Sequence, residues 1–168
     1  ERLGQVAADL HREGCKLLVL PEMWCCGFAP LDLESFAYRT PDVLDSWQEI
    51  GRRYAMVLVG SMPETKGGRP FNTSYVVDVS GSIAARYRKT HLFSPNGEHL
   101  RFAHGRESVV CATEVGRLGI MICYDLRFPE LARRLALDGA DILCVSALWP
   151  LVRIHHWDLL FRSRSLEN

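Results

Sequence analysis

Short apolar runs, each closed off by glycine, proline or a polar turn, alternate along this chain with stretches of helical periodicity. That alternation constrains the fold more than any other feature, because a run too short for a helix buries its residues best as a strand. Cys15–Leu20, bounded by Gly14 and Pro21, reads as a strand buried on both faces, and Met56–Gly60 as a second. Ahead of the first, Leu3, Val6, Ala7 and Leu10 recur at helical spacing, and Gly14 is placed to end that helix. Cys25–Pro41 reads mostly as loop, Val43–Tyr54 as helix and Glu64–Pro70 as a solvated turn. Phe71–Val79 and Ser82–Tyr87 are strand-like, with Ser80-Gly81 between them as a hairpin turn. The polar stretch Lys89–Arg106 precedes two further strands, Val109–Ala112 and Arg117–Cys123. Pro129–Asp138 is a helix stopped by Gly139, Asp141–Leu148 a strand and Ile154–Leu166 a helix. Strands alternating with helices predict a layered α/β fold, and the hairpin makes its sheet mixed. Residues 1–168 show no repeat or linker, so a single domain is expected.

Charge and composition narrow the function classes. Lys+Arg and Asp+Glu each number 20, so no electrostatic footprint for nucleic acid or an anionic membrane is present. The longest apolar stretches, such as Leu17–Leu20 and Ile120–Cys123, are too short to span a bilayer. None of the 6 cysteines forms a C-x-x-C pair, and no Cys/His spacing suits zinc, so no metal is expected. Cys15 and Cys144 lie in or beside strand-like runs, where a thiol is ordinarily a small core residue. A reduced, cytoplasmic protein is expected. The chain opens on Glu1 and closes on Ser165-Leu166-Glu167-Asn168 inside a helical pattern, so it is expected to be incomplete at both ends.

In layered α/β proteins, chemistry gathers beyond the carboxyl ends of the strands. Reading those ends in turn yields Glu22, Lys89, Cys123 and Trp149. A thiol is a nucleophile as thiolate, which a nearby lysine favours. A carboxylate within reach can take the thiol proton and deliver it to a leaving group. Lys89, with the backbone N–H of Tyr124, could hold an oxyanion. These residue types suffice for acyl transfer, but each has a plain structural alternative: a packed thiol, a surface carboxylate, a solvated Arg86-Arg88-Lys89 edge. Position alone does not bring the three together.

Whole phrases carry more. Leu18-Val19-Leu20-Pro21-Glu22-Met23, Tyr87-Arg88-Lys89-Thr90-His91-Leu92-Phe93 and Cys123-Tyr124-Asp125-Leu126-Arg127-Phe128-Pro129-Glu130 resemble, in order and separation, the three signature segments of the nitrilase superfamily of carbon–nitrogen hydrolases. Gly60-Ser61, Phe71-Asn72-Thr73 and Arg164-Ser165-Leu166-Glu167-Asn168 extend the resemblance over nearly the whole chain. It implies a four-layer α-β-β-α sandwich with mixed sheets, truncated here because the family's first strand and C-terminal strands are missing. It implies a Glu–Lys–Cys triad: Glu22 as base and acid, Lys89 as oxyanion stabiliser, Cys123 as nucleophile. Glu98 matches the family's second glutamate, which orients the lysine and the substrate. No cofactor is implied; a homodimer or higher homo-oligomer is.

Cys-Tyr-Asp-Leu-Arg-Phe-Pro, Glu98-His99-Leu100 and Trp149-Pro150 resemble the Nit-type, ω-amidase-like branch. The expected substrate is then the terminal carboxamide of a small ω-amide acid, hydrolysed through a Cys123 thioester with release of ammonia. Tyr124, Arg127 and Trp149 are the candidate substrate-binding residues. A guanidinium pairs bidentately with a carboxylate, so Arg127 could orient such a substrate, or it could tie its own loop to backbone carbonyls. His155 and His156 read as helix-surface residues. The alternatives are a nitrilase, an N-carbamoyl amidohydrolase or another amidase of the superfamily, a binding module that has lost catalysis, and a redox-active thiol protein with Cys25 or Cys26 as resolving partner.

Overall fold

The computed structural model describes residues 2–27 and 33–168. Helix α1 spans Arg2–Arg12, and Gly14 leaves it in the left-handed region at φ 81°. Ala7 is buried, whereas Val6 is 42% exposed and lies off the inward stripe expected to include it. Strand β1 (Leu17–Val19) is shorter than Cys15–Leu20 and pairs on one side only, so it forms a sheet edge. Val19 is 38% exposed, which corrects the expectation of a strand buried on both faces.

Helix α2 runs from Leu33 to Tyr54, with Pro41 inside it. The loop expected over Cys25–Pro41 is thus a helix from Leu33 onward, and residues 28–32 lie outside the described set. Pro41 lacks one helical N–H, but tertiary contacts outweigh that loss. The Thr40 hydroxyl donates to the Pro63 carbonyl at 2.6 Å, and Leu44 and Trp47 are buried against the sheet. Trp47 fits because Gly60 has no side chain: a Cβ there would come within 2.7 Å of the indole.

Strands β2 (Val57–Lys66), β3 (Arg69–Val77) and β4 (Ile83–Arg88) form an antiparallel meander, and β1 joins β2 in parallel. The solvated turn expected over Glu64–Pro70 shrinks to Gly67-Gly68, both at positive φ, as a two-residue hairpin requires. Glu64 stays in strand because Arg88 neutralises it through two 2.8 Å hydrogen bonds. The second sheet holds β5 (Val110–Thr113), β6 (Gly116–Ile122) and β7 (Ile142–Ser146), antiparallel then parallel. Both sheets are mixed. A one-turn helix α3 (Glu98–Arg101) lies in the long polar stretch; α4 (Pro129–Leu137) and α5 (Ile154–Glu167) complete the described elements.

The strand period sorts side chains between layers. Val57, Val59 and Val76 of the first sheet join Leu118, Ile120 and Ile122 of the second in one buried cluster. Their neighbours Leu58, Tyr75 and Val77 point the other way, to α2. Behind the second sheet, Leu131, Ala132 and Leu135 of α4 close the core. The order is helix, sheet, sheet, helix. Each fully buried aliphatic side chain here contributes about 1.5–3 kcal/mol. Among the described residues no helix is long and apolar enough to cross a membrane.

Candidate active site

Because β1, β2 and β4 point one way, as do β6 and β7, their carboxyl ends can share an edge. Glu22 follows β1, Lys89 follows β4, Cys123 follows β6 and Trp149 follows β7. All four border one cavity of about 110 Å³. A larger cavity, between α1 and α2, has no cysteine among its lining residues, and its Ser46 hydroxyl donates to the Asp42 carbonyl of its own helix.

At the cavity floor, Lys89 Nζ donates to Glu22 Oε1 at 2.8 Å and to Glu98 Oε2 at 2.9 Å. The lysine is 1% exposed, and both carboxylates are buried. It is therefore an interior ion, not part of a solvated basic edge. Asn72 donates to Glu22 Oε1 at 2.9 Å and Glu98 Oε1 at 3.2 Å, locking the two carboxylates to one another. The backbone N–H of Phe93 donates to Glu98 Oε2 at 2.6 Å.

Cys123 sits at φ 43°, in the left-handed region that a side chain disfavours, at the sharp turn where β6 becomes a short 3-10 helix. Such a residue costs about 1–3 kcal/mol and persists where its surroundings over-determine it. Here they do so through Asp125, whose buried carboxylate accepts the N–H of Ile122 at 2.9 Å. The same carboxylate accepts the Tyr87 hydroxyl at 2.7 Å and the His91 N–H at 3.1 Å. Those two residues flank Lys89, so Asp125 ties the cysteine turn to the lysine segment.

Electrostatics fix the resting state. Burial pushes the Cys123 thiol above its ordinary range, the Glu22 charge adds to the rise, and Lys89 only partly opposes them. Burial also raises the Glu22 carboxyl, against the pull of Lys89. Lys89 is held charged by Glu22 and Glu98 despite burial. Two carboxylates around one ammonium already leave the floor net negative, so a second anion on sulfur is disfavoured. Burial and the Glu22 carboxylate therefore disfavour the thiolate that a neighbouring lysine was expected to favour.

The other expected residues also reach the cavity. Tyr124, Arg127 and Trp149 line it, with Phe93 packed edge-on to Tyr124. The Arg127 guanidinium lies over the Trp149 ring, 5.1 Å from its centroid, and its Nη2 is 3.3 Å from His156 Nδ1. His156 is therefore not a bare surface residue. Cys25 and Cys26 are free thiols outside the lining of this cavity, and Cys144 is buried in the core. Among the described residues no cluster of three metal-ligating side chains occurs.

Comparison with known proteins decides the kinship. The model of the carbon-nitrogen hydrolase family matches residues 1–168. The chain belongs to the carbon–nitrogen hydrolase family. It is 36% identical over 154 residues to the 2-oxoglutaramate amidase of Bacillus subtilis (strain 168), covering 90% of this chain and 60% of that protein. Nit3 of Saccharomyces cerevisiae, a member of branch 10 of the nitrilase superfamily, superposes with a TM-score of 0.88 at 28% identity, over 97% of this chain and 63% of that one. A variant of the amidase of Nesterenkonia sp. AN1, with acrylamide added at its active-site cysteine, superposes at 0.86 and 26% identity, over 99% of this chain and 66% of that one. The chain thus spans 60–66% of the length of these relatives. The likeness to Nit3 bears out the expected nitrilase-like sandwich.

Sequence reading left three residues of this carbon–nitrogen hydrolase without a role: Asn72, Asp125 and Arg153. Asn72 carried a signal only as part of Phe71-Asn72-Thr73, one of the segments that extend the family resemblance. Asp125 lay within the cysteine segment, but nothing in the sequence shows that its partners are 34–38 positions away. Arg153 has no sequence signal beyond its charge.

Proposed function

We propose that this chain carries the catalytic machinery of an amidase that hydrolyses the terminal carboxamide of a small ω-amide acid. The observation that carries the reading is the cavity itself, with a buried Glu–Lys–Glu cluster and a thiol at its floor and a guanidinium on its wall. Its volume, about 110 Å³, is well below the roughly 300–1,000 Å³ of sites for drug-sized ligands, which favours a small substrate. The relative from Bacillus subtilis, a 2-oxoglutaramate amidase, supports the same class.

In this mechanism Cys123 Sγ attacks the carboxamide carbon as its proton passes to Glu22. The oxyanion is held by Lys89 and the backbone N–H of Tyr124. Glu22 returns the proton to the nitrogen, the C–N bond breaks and ammonia leaves, with a thioester on Cys123. Water then attacks the thioester carbonyl as Glu22 takes its proton; the acid departs and the thiol is restored. Glu98 and Asn72 hold Lys89 and Glu22 in register. Arg127 pairs with the substrate's carboxylate, and Trp149 walls the acyl chain. Exposed Leu159, Phe161 and Leu166 on α5 support assembly into a homo-oligomer.

The test is an ammonia-release screen of the full-length protein over ω-amides, neutral amides, nitriles and N-carbamoyl compounds, paired with intact mass spectrometry. The expected result is preference for ω-amides with a transient acyl adduct on Cys123, and loss of turnover in a folded Cys123→Ala variant. Equal or better turnover of nitriles or carbamoyl compounds would overturn the substrate class. Turnover by the alanine variant would overturn the mechanism.

A further inference from the structure

A second arginine lines the cavity beyond Arg127. Arg153 stands on the single 3-10 turn Leu151–Arg153 that carries the chain from β7 into α5. Its backbone is fixed at both ends: its N–H donates to the Pro150 carbonyl at 2.9 Å, and its carbonyl accepts the Trp149 indole N–H at 2.9 Å. The indole that Arg127 overlies is thus tied to the residue that bears the second cation. The two arginines and Trp149 form one wall.

Among the described residues no carboxylate pairs with Arg127 or Arg153, although the chain's other close arginine–carboxylate pairs include Arg88–Glu64, Arg134–Asp138 and Arg162–Asp158. Among the described lining residues the one carboxylate, Glu22, is bound to Lys89. The cavity is therefore asymmetric: both carboxylates of the buried cluster lie beside the thiol, and two arginines with no carboxylate partner among the described residues line the wall. Holding like charges near one another is unfavourable until an anion enters between them. Arginine suits that task, since its planar fork meets a carboxylate through two hydrogen bonds.

We propose that Arg153 is a specificity-determining residue, which with Arg127 clamps the anionic end of the substrate against Trp149. This rests on the amidase reading above and adds to it a cation that the cysteine segment does not supply. The clamp acts on binding, not on the chemical step. It selects amides whose far end is a carboxylate over neutral amides of the same length.

Arg153→Ala and Arg153→Lys in the full-length protein test this, with glutaric acid monoamide and valeramide as the anionic and neutral substrates. The expected result for Arg153→Ala is a preference for the anionic amide reduced roughly 10- to 100-fold, the worth of a charge-assisted hydrogen bond, through KM more than kcat. Lysine restores part of it. An unchanged preference, or equal losses on both substrates, would overturn the proposal. A second readout is independent of turnover: protection of Cys123 from iodoacetamide by glutarate. Protection that needs roughly tenfold more glutarate in Arg153→Ala supports the clamp even if no amide is hydrolysed, in which case the amidase reading alone fails. Equal protection of both proteins sinks the clamp whatever the reaction.

Discussion

The carboxylate of Asp125 receives the Tyr87 hydroxyl at 2.7 Å, across the gap between the two sheets. It also accepts from Thr90, from the backbone and ring of His91, and from the backbone of Ile122. The His91 ring in turn stacks on Phe128, with centroids 3.7 Å apart. One buried side chain thereby sets the distance between the turn bearing Cys123 and the strand end bearing Lys89. Asp125→Ala strands several buried donors at once, each costing about 1–3 kcal/mol, so a loss of at least about 3 kcal/mol is expected. Denaturant unfolding measures it. In Asp125→Asn, which keeps the shape and some of the bonds, stability recovers in part while kcat stays low; full activity in that variant would remove the positioning role.

Glu98 makes a sharper case, because an isosteric change keeps its shape while turning one of its two acceptors into a donor facing Lys89 and Asn72. Glu98→Gln keeps an acceptor for the Phe93 N–H but removes one of two charges that hold Lys89. If Lys89 stabilises an oxyanion, kcat falls by roughly 10²–10³ with the circular dichroism unchanged. Steady-state kinetics on the best amide from the screen decide it, and an unaltered kcat would leave Glu98 as a structural carboxylate.

The elevated Cys123 thiol has a pH signature. An ordinary thiol is half ionised at about pH 8.5, so its alkylation levels off not far above that. Burial, then the Glu22 charge, lift Cys123 higher, so its reaction with iodoacetamide should still be climbing there. Removing the charge removes one of the upward influences; Glu22→Gln therefore shifts the profile to lower pH. Peptide mass spectrometry separates Cys123 from the other cysteines, and a shift to higher pH would contradict the charge argument.

Glu64 reports on stability instead. Burial raises its carboxyl, but the Arg88 guanidinium and Thr73 hydroxyl outweigh burial and hold it below the ordinary range. A depressed carboxyl stabilises the fold above its unfolded value, about 4.3, and loses that contribution as pH falls through the folded value. The Tm of Glu64→Gln should lie below that of the wild type at pH 7, and the gap should close below about pH 4. A gap that widens in acid would mean the pair does not couple to folding.

Taken alone, the sequence determined the element order, the hairpin at Ser80-Gly81, the end of α1 at Gly14 and the strand ends where Glu22, Lys89, Cys123 and Trp149 stand. These depend on breakers and on side-chain period, which act within a few residues. It misjudged the stretch before Pro41, where burial of Leu44 and Trp47 outweighs one missing helical hydrogen bond, and the strand at Glu64, whose charge is met by Arg88 from another strand. Only the tertiary structure decided that Lys89 is an interior ion, that burial and Glu22 lift the Cys123 thiol, that Asp125 joins two segments and that Arg153 lines the same cavity as Arg127. Charge states and hydrogen-bond partners are set by burial and by distant groups, as Glu22 meets Lys89 across 67 positions and Leu148 across 126, and local chain propensity carries no record of either.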